Sequence, residues 1–148
     1  MDKPRLVGMN HVALEVGDID EALAFYASIF TFTLRGRNKT NAFIDMGDQF
    51  INLTEVATEH RDSPRHVGLV VDDRRAVRDL VTAAGGELLD GPFLDFLDPW
   101  GNRIEVIAYG DIQFTKAPHV LRGMGLALEK TDKARRELAE KGMAPETV

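Results

Sequence analysis

The chain of 148 residues is long enough for one domain, or for one compact unit made of two small halves, and carries 24 Asp+Glu against 18 Lys+Arg, a formal charge of -6. That acidic balance argues against broad binding to a phosphate backbone, which needs a positive field, so no nucleic-acid partner is expected. The lack of Cys excludes disulfides, thiolate catalysis and thiolate-bound metal, and leaves imidazole and carboxylate as the metal-binding side chains.

The opening "MDKPRLVGMN" has no apolar core of the secretory kind, and no unbroken apolar run approaches the roughly 18 residues of a membrane span. Cytoplasmic residence without membrane association is the expectation. Residues 6–16 read as the first strand, in which "HVALEV" puts His11, Ala13 and Glu15 on one face and Val12, Leu14 and Val16 on the other. The period then changes. Asp18 and Glu21 have capping-box spacing, and Ile19, Ala22, Leu23, Phe25, Tyr26, Ile29 and Phe30 give the following helix one broad apolar side. Strand-like pieces follow over residues 31–35, 42–46 and 49–56, the last two parted by a Gly47-Asp48 turn. Within the last of them Glu55 alternates to the face opposite Asn52, as a surface or interface charge. The polar residues 58–65 read as a linker.

The second half repeats the order. "HVGLVV" is a strand, Asp73 is a candidate helix cap, and a helix over residues 74–84 carries Val77, Leu80 and Val81 before Gly85-Gly86 stops it. Strands over residues 87–90, 92–97 and 103–109 complete the set, the last two parted by the turn "DPWG". His66 follows His11 by 55 positions (66 minus 11), and in that register Val12, Leu14 and Val16 meet Val67, Leu69 and Val71. The self-similarity predicts an α+β fold. Two repeated βαβββ modules, residues 1–57 and 66–109, form a cupped mixed β-sheet with external helices. Residues 110–148 match neither module and are expected as a C-terminal helical extension. Its clearest element is a helix over residues 130–141, capped at Thr131 or Asp132, with Ala134 and Leu138 as a thin apolar face against the surface or a partner. Pro118, Gly123 and Gly125 mark the piece before it as irregular or tightly turned.

If like modules pair, equivalent positions converge on one cleft. The first strands bring His11 and His66 to matching places, and aligning "INLTEV" with "RIEVIA" sets Asn52 against Glu105, an offset of 53 (105 minus 52). Two imidazoles and a carboxylate form a facial metal site with open coordination positions, suited to Fe(II), Mn(II), Zn(II), Ni(II) or Co(II). Taken singly, each His reads first as a structural residue at a strand start; the repeat and the matched glutamate shift the balance to the metal site. Glu105 lies among Ile104, Val106 and Ile107, where an unpaired carboxylate is costly. Phe43, Phe50, Phe93, Phe96 and Trp100 offer a lining for a planar or apolar ligand or simply core packing; Phe93 and Phe96, three apart, cannot both face the cleft from a regular strand. Arg103 shares the strand face of Glu105, as a contact for an anionic substrate or as a rim salt bridge.

"NHVALEVGDIDEALAFYASIF", "RHVGLVVDD" and "DPWGNRIEVI" together resemble the opening strand and helix, the second-module opening and the closing segment of the vicinal oxygen chelate superfamily, which includes glyoxalases, bleomycin-resistance proteins and extradiol dioxygenases. The resemblance implies a homodimer and a metal-dependent enzyme whose small oxygen-bearing substrate chelates a divalent ion held by His11, His66 and Glu105. It leaves open lyase, isomerase, transferase and dioxygenase chemistry, and the alternative of a metal-free, non-catalytic protein that sequesters a planar or hydrophobic compound. Asn52 falls on a fourth ligand place, a glutamate in typical glyoxalase I proteins. An amide cannot act there as a carboxylate base, so its implied role is to orient substrate or a metal-bound water. A ring-cleaving member would also need a nearby His and Tyr, for which His119, Tyr109 and Tyr26 are the candidates.

Overall fold

Alternating strands of the first half assemble into one mixed sheet. In the computed structural model, which describes residue 3 and residues 9–144, these strands are β1 (His11–Val16), β2 (Thr33–Arg37), β3 (Asn41–Asp45) and β4 (Phe50–Glu55). Their order is β1-β4-β3-β2; β1 and β4 run parallel and the other neighbours antiparallel. Helix α1 (Ile19–Ala27) supplies the crossover between β1 and β2. Asp18 Oδ1 caps it by accepting from the Glu21 amide at 2.8 Å, and Glu55 Oε2 accepts from the Ile19 amide at 3.2 Å. Glu55, expected as a surface or interface charge, thus serves the positive end of α1. Leu14, Val16, Ala42, Ile44, Ile51 and Leu53 bury on the sheet face that also takes Ile19, Ala22, Phe25 and Tyr26 of the helix. Each large aliphatic or aromatic side chain so covered contributes about 1.5–3 kcal/mol of transfer free energy. The opposite face, with His11, Ala13 and Glu15, stays open. Residues 6–8 of the expected first strand lie outside the described residues, and Met9 and Asn10 precede β1.

The second half repeats this plan strand for strand. Strands β5 (Val67–Val71), β6 (Glu87–Leu88), β7 (Asp95–Leu97) and β8 (Arg103–Ala108) form a second four-stranded sheet in the order β5-β8-β7-β6, again with the first and last strands parallel. Ala13 lies opposite Asn52 and Gly68 opposite Glu105. Ala13 and Gly68 hold the same place in the repeat, so Asn52 and Glu105 are equivalent positions. Helix α2 (Val77–Ala84) starts three residues later than the sequence suggests. Asp73 does not cap it: its carboxylate takes the Arg75 guanidinium and the Arg75 amide, the latter at 3.0 Å, and Ala76 stands at the cap without a side-chain hydrogen bond. Those hydrogen bonds from Arg75 hold the Asp73 carboxyl down at about 2. Gly85, at φ 85°, ends the helix as expected.

After β8 the chain makes a 3-10 turn (Tyr109–Asp111), then α3 (Pro118–Gly123) and α4 (Asp132–Glu140). The segment read as irregular contains α3: Pro118 opens the helix, where its missing N–H costs nothing. Thr131 caps α4 by accepting from the Ala134 amide at 3.3 Å. The thin apolar face of α4 is buried, with Ala134 0% and Leu138 6% exposed, and the helix packs against the 3-10 turn. Lys130 fixes this return. Its ammonium lies 3.5 Å from the Tyr109 ring centroid and donates to the carbonyls of Tyr109, at 2.7 Å, and Phe114. Burial nevertheless holds it below the usual lysine pKa. The chain divides into two units, Met1–Thr58 and Glu59–Val148, and among the described residues no helix is long and apolar enough to cross a membrane.

Candidate functional site

In the first unit, β1 and β4 set His11 opposite Phe50 and Ala13 opposite Asn52 on the open sheet face. The His11 imidazole stacks on the Phe50 ring, centroids 4.7 Å apart and planes 8° from parallel, and Phe43 meets that ring edge-on at 5.9 Å. Asn10 Oδ1, an acceptor, is 2.8 Å from His11 Nδ1. This contact calls for a proton on Nδ1 and leaves the Nε2 lone pair free to bind a cation. Asn52 Oδ1 is buried and has no hydrogen-bond partner among the described residues. A buried orphan acceptor costs free energy until a donor, a water or a cation meets it.

In the second unit, His66 and Glu105 come together. His66 Nδ1 lies 2.9 Å from the Pro64 carbonyl, which can only accept, so Nδ1 carries the proton. Nε2 then faces Glu105 Oε2 at 3.5 Å. With a neutral ring these are two lone pairs in confrontation, which a second proton on the ring, a donating water or a cation between the two groups would satisfy. Gly68 pairs with Glu105, and a Cβ there would crowd Ile107 Cδ1 at 3.2 Å.

A second carboxylate, Asp95, stands directly opposite Glu105 across β7 and β8. Like charges so placed repel. Arg103 neutralises Asp95, with Nε and Nη2 at 2.8 and 2.6 Å from Oδ2, and its remaining Nη1 donates to the Ser63 carbonyl. Of the two roles open to Arg103, the structure gives it the salt bridge. The connection into the second unit is tied to the "DPWG" turn through Asp62, whose amide donates to the Gly101 carbonyl at 2.8 Å. Asp98 closes that turn by accepting from the amides of Trp100 and Asn102, each at 2.9 Å. The presentation of His66 therefore depends on residues far from it in sequence.

Other candidates fall away from the open faces. Phe96 is fully buried and pairs with Ile104 on the covered side of the second sheet, Phe93 is 62% exposed ahead of β7, and Trp100 is half-buried in the turn. Tyr26 is buried with α1, and the Tyr109 hydroxyl is occupied by the Lys116 amide at 3.3 Å. His119 is exposed on α3. Sequence reasoning passed over Asn10, Gly68 and Asp95; the alternation of "HVGLVV" and "DFLD" against β8 was the available signal for the last two. Within either unit the expected donor set is incomplete, two members in each, and among the described residues no group of three His, Asp or Glu gathers as a metal cluster.

The family model of the glyoxalase/bleomycin resistance protein/dioxygenase superfamily matches residues 8–106. The chain belongs to this superfamily. A "probable lactoylglutathione lyase" of Vibrio cholerae serotype O1 is 32% identical over 120 residues, covering 66% of this chain and 87% of its own. The fosfomycin resistance protein FosX from Listeria monocytogenes has the same fold, with TM-score 0.61 at 18% identity over 70% of this chain and 94% of its own. A superfamily member from Alicyclobacillus acidocaldarius gives 0.53 at 21% identity over 70% and 92%. A point mutant of the Listeria FosX, TM-score 0.60 at 18% identity over 69% and 90%, was crystallised with Mn(II) and 1S,2S-dihydroxypropylphosphonic acid. Superfamily membership and fold are those of proteins that act on small oxygen-bearing molecules.

Proposed function

We propose that this superfamily member is a metal-dependent enzyme in which His11, His66 and Glu105 hold one divalent ion and Asn52 orients the substrate or a bound water. One observation carries the reading: His66 Nε2 and Glu105 Oε2 confront each other at 3.5 Å while Nδ1 is committed to Pro64. The buried, unpartnered Oδ1 of Asn52 and the committed Nδ1 of His11 support it from the other unit. That the four side chains serve one ion rests on the register of the repeat and on family membership.

An ion of Fe, Mn, Zn, Ni or Co would supply Lewis acidity, polarising substrate oxygens and stabilising negative charge as it develops. The protein's part is to present each imidazole in one tautomer, to set Glu105 beside an Asp95 already paired with Arg103, and to offer an amide where a carboxylate base would stand in a lactoylglutathione lyase. Proton abstraction from a hemithioacetal is thus not the reaction this position suits, and the Mn(II) complex of FosX makes manganese the first metal to test. The proposal includes a small-molecule substrate, a homodimer and a cytoplasmic setting.

Elemental analysis of protein purified without added metal or chelator tests it. About one equivalent of transition metal in the parent, and its loss in His66→Ala, is the expected result. Failure of the parent to hold Mn, Fe, Co, Ni or Zn after reconstitution would sink the site. The stacked Phe43–Phe50–His11 group favours a second reading, sequestration of a planar compound without metal. That binder would be indifferent to metal titration.

A further inference from the structure

The open face of the first sheet carries a cation that the metal reading does not use. Strand β2 slips register between Leu34 and Gly36: Leu34 pairs with Ile44, Gly36 with Phe43 and Arg37 with Ala42, so Arg35 is the extra residue of a β-bulge. The bulge separates two arginines that strict alternation would place together. Arg37 falls on the covered side, where Nη1 meets Asp20 Oδ1 of α1 at 2.8 Å. Arg35 goes the other way. Its guanidinium carbon sits 4.8 Å from the centroid of Phe50, the ring on which His11 stacks.

Arg35 is exposed and has no carboxylate partner among the described residues, so its N–H donors are uncommitted while its position is held through the ring. His11 reaches Phe50 from β1 on one side of β4, and Arg35 reaches it from across β3 on the other. An arginine laid on an aromatic ring presents a planar, permanently charged fork at low cost in side-chain entropy, the geometry that carboxylate and phosphonate oxygens accept in pairs. From these observations we infer that Arg35 is a substrate-binding residue: the substrate carries a carboxylate or phosphonate group that docks on Arg35, with an apolar stretch against Phe43 and Phe50 and its chelating oxygens towards His11. The inference rests on the proposal that the His11 face is the substrate face. It narrows the substrate class to small oxyanions.

Calorimetric titration of the full-length protein with glycolate, methylphosphonate and the neutral isostere glycolamide tests the assignment, with and without saturating Mn(II), on the parent, Arg35→Gln and Arg35→Lys. The expected result is that the parent prefers an oxyanion to glycolamide, that Arg35→Gln weakens oxyanion binding about ten- to hundredfold while leaving glycolamide binding and metal content unchanged, and that Arg35→Lys recovers part of the loss. Equal oxyanion affinity in parent and Arg35→Gln, or no oxyanion binding by the parent, overturns the inference. Metal content measured on the same samples separates this outcome from failure of the metal site. A protein that binds no Mn(II) but loses methylphosphonate in Arg35→Gln refutes the metal reading and upholds Arg35.

Discussion

At Asn52 the proposed function and stability pull in opposite directions. Asn52 lies on β4 between β1 and β3, and its Oδ1 is buried with no hydrogen-bond partner among the described residues, whereas the residues next to it on β4, Ile51 and Leu53, are 3% and 0% exposed and fully apolar. Removing an unmet buried acceptor in favour of an apolar group of similar shape returns its desolvation penalty. Asn52→Leu is therefore expected to stabilise the metal-free protein by about 1 kcal/mol, read as a higher midpoint in urea, while weakening substrate or metal-dependent activity. An unchanged or lower midpoint would mean that the oxygen is already satisfied in solution. The sequence made Asn52 visible through its match to Glu105. It could not show the orphaned oxygen, because burial of a single side-chain atom is not written in strand alternation.

At the scale of elements, the segment entering the second sheet and the "DPWG" turn form one assembly. Gly101, at φ 86°, lies so close to this segment that a Cβ would fall 1.8 Å from the His60 carbonyl oxygen. Gly101→Ala combines left-handed strain with a backbone collision and should cost about 3 kcal/mol or more, displacing Asp62 and with it the Pro64 carbonyl that orients His66. Loss of metal retention together with lowered thermal stability is the expected pair of results; a normal melting temperature would contradict the packing described. The strands were legible because alternation and the 55-residue repeat, His11 to His66, agree with each other. Three features were not. Asp73 has the composition of a helix cap but is consumed by Arg75, and Pro118 signals a helix start as readily as a turn. The bulge at Arg35 leaves no trace in a sequence whose pattern reads as a plain strand.

For the whole molecule, the proposed donor set draws equally on the two units: His11 and Asn52 in Met1–Thr58, His66 and Glu105 in Glu59–Val148. An ion that takes ligands from both adds its binding free energy to the native state as a single term, about 2.7 kcal/mol at a hundredfold excess over Kd. Thermal melts at increasing Mn(II) should show a concentration-dependent rise in the parent. On the proposal of one shared ion, His11→Ala is expected to abolish most of that rise as completely as Glu105→Ala does, although the two residues belong to different sheets. Retention of the full rise in His11→Ala with its loss in Glu105→Ala would confine the ion to the His66–Glu105 pair and refute the shared site. No rise in the parent, or its retention in both variants, would refute the site of His11, His66 and Glu105. The open aromatic face of the first sheet, with Phe43, Phe50 and Arg35, would then be the chemistry that remains, and the protein a binder of small anions.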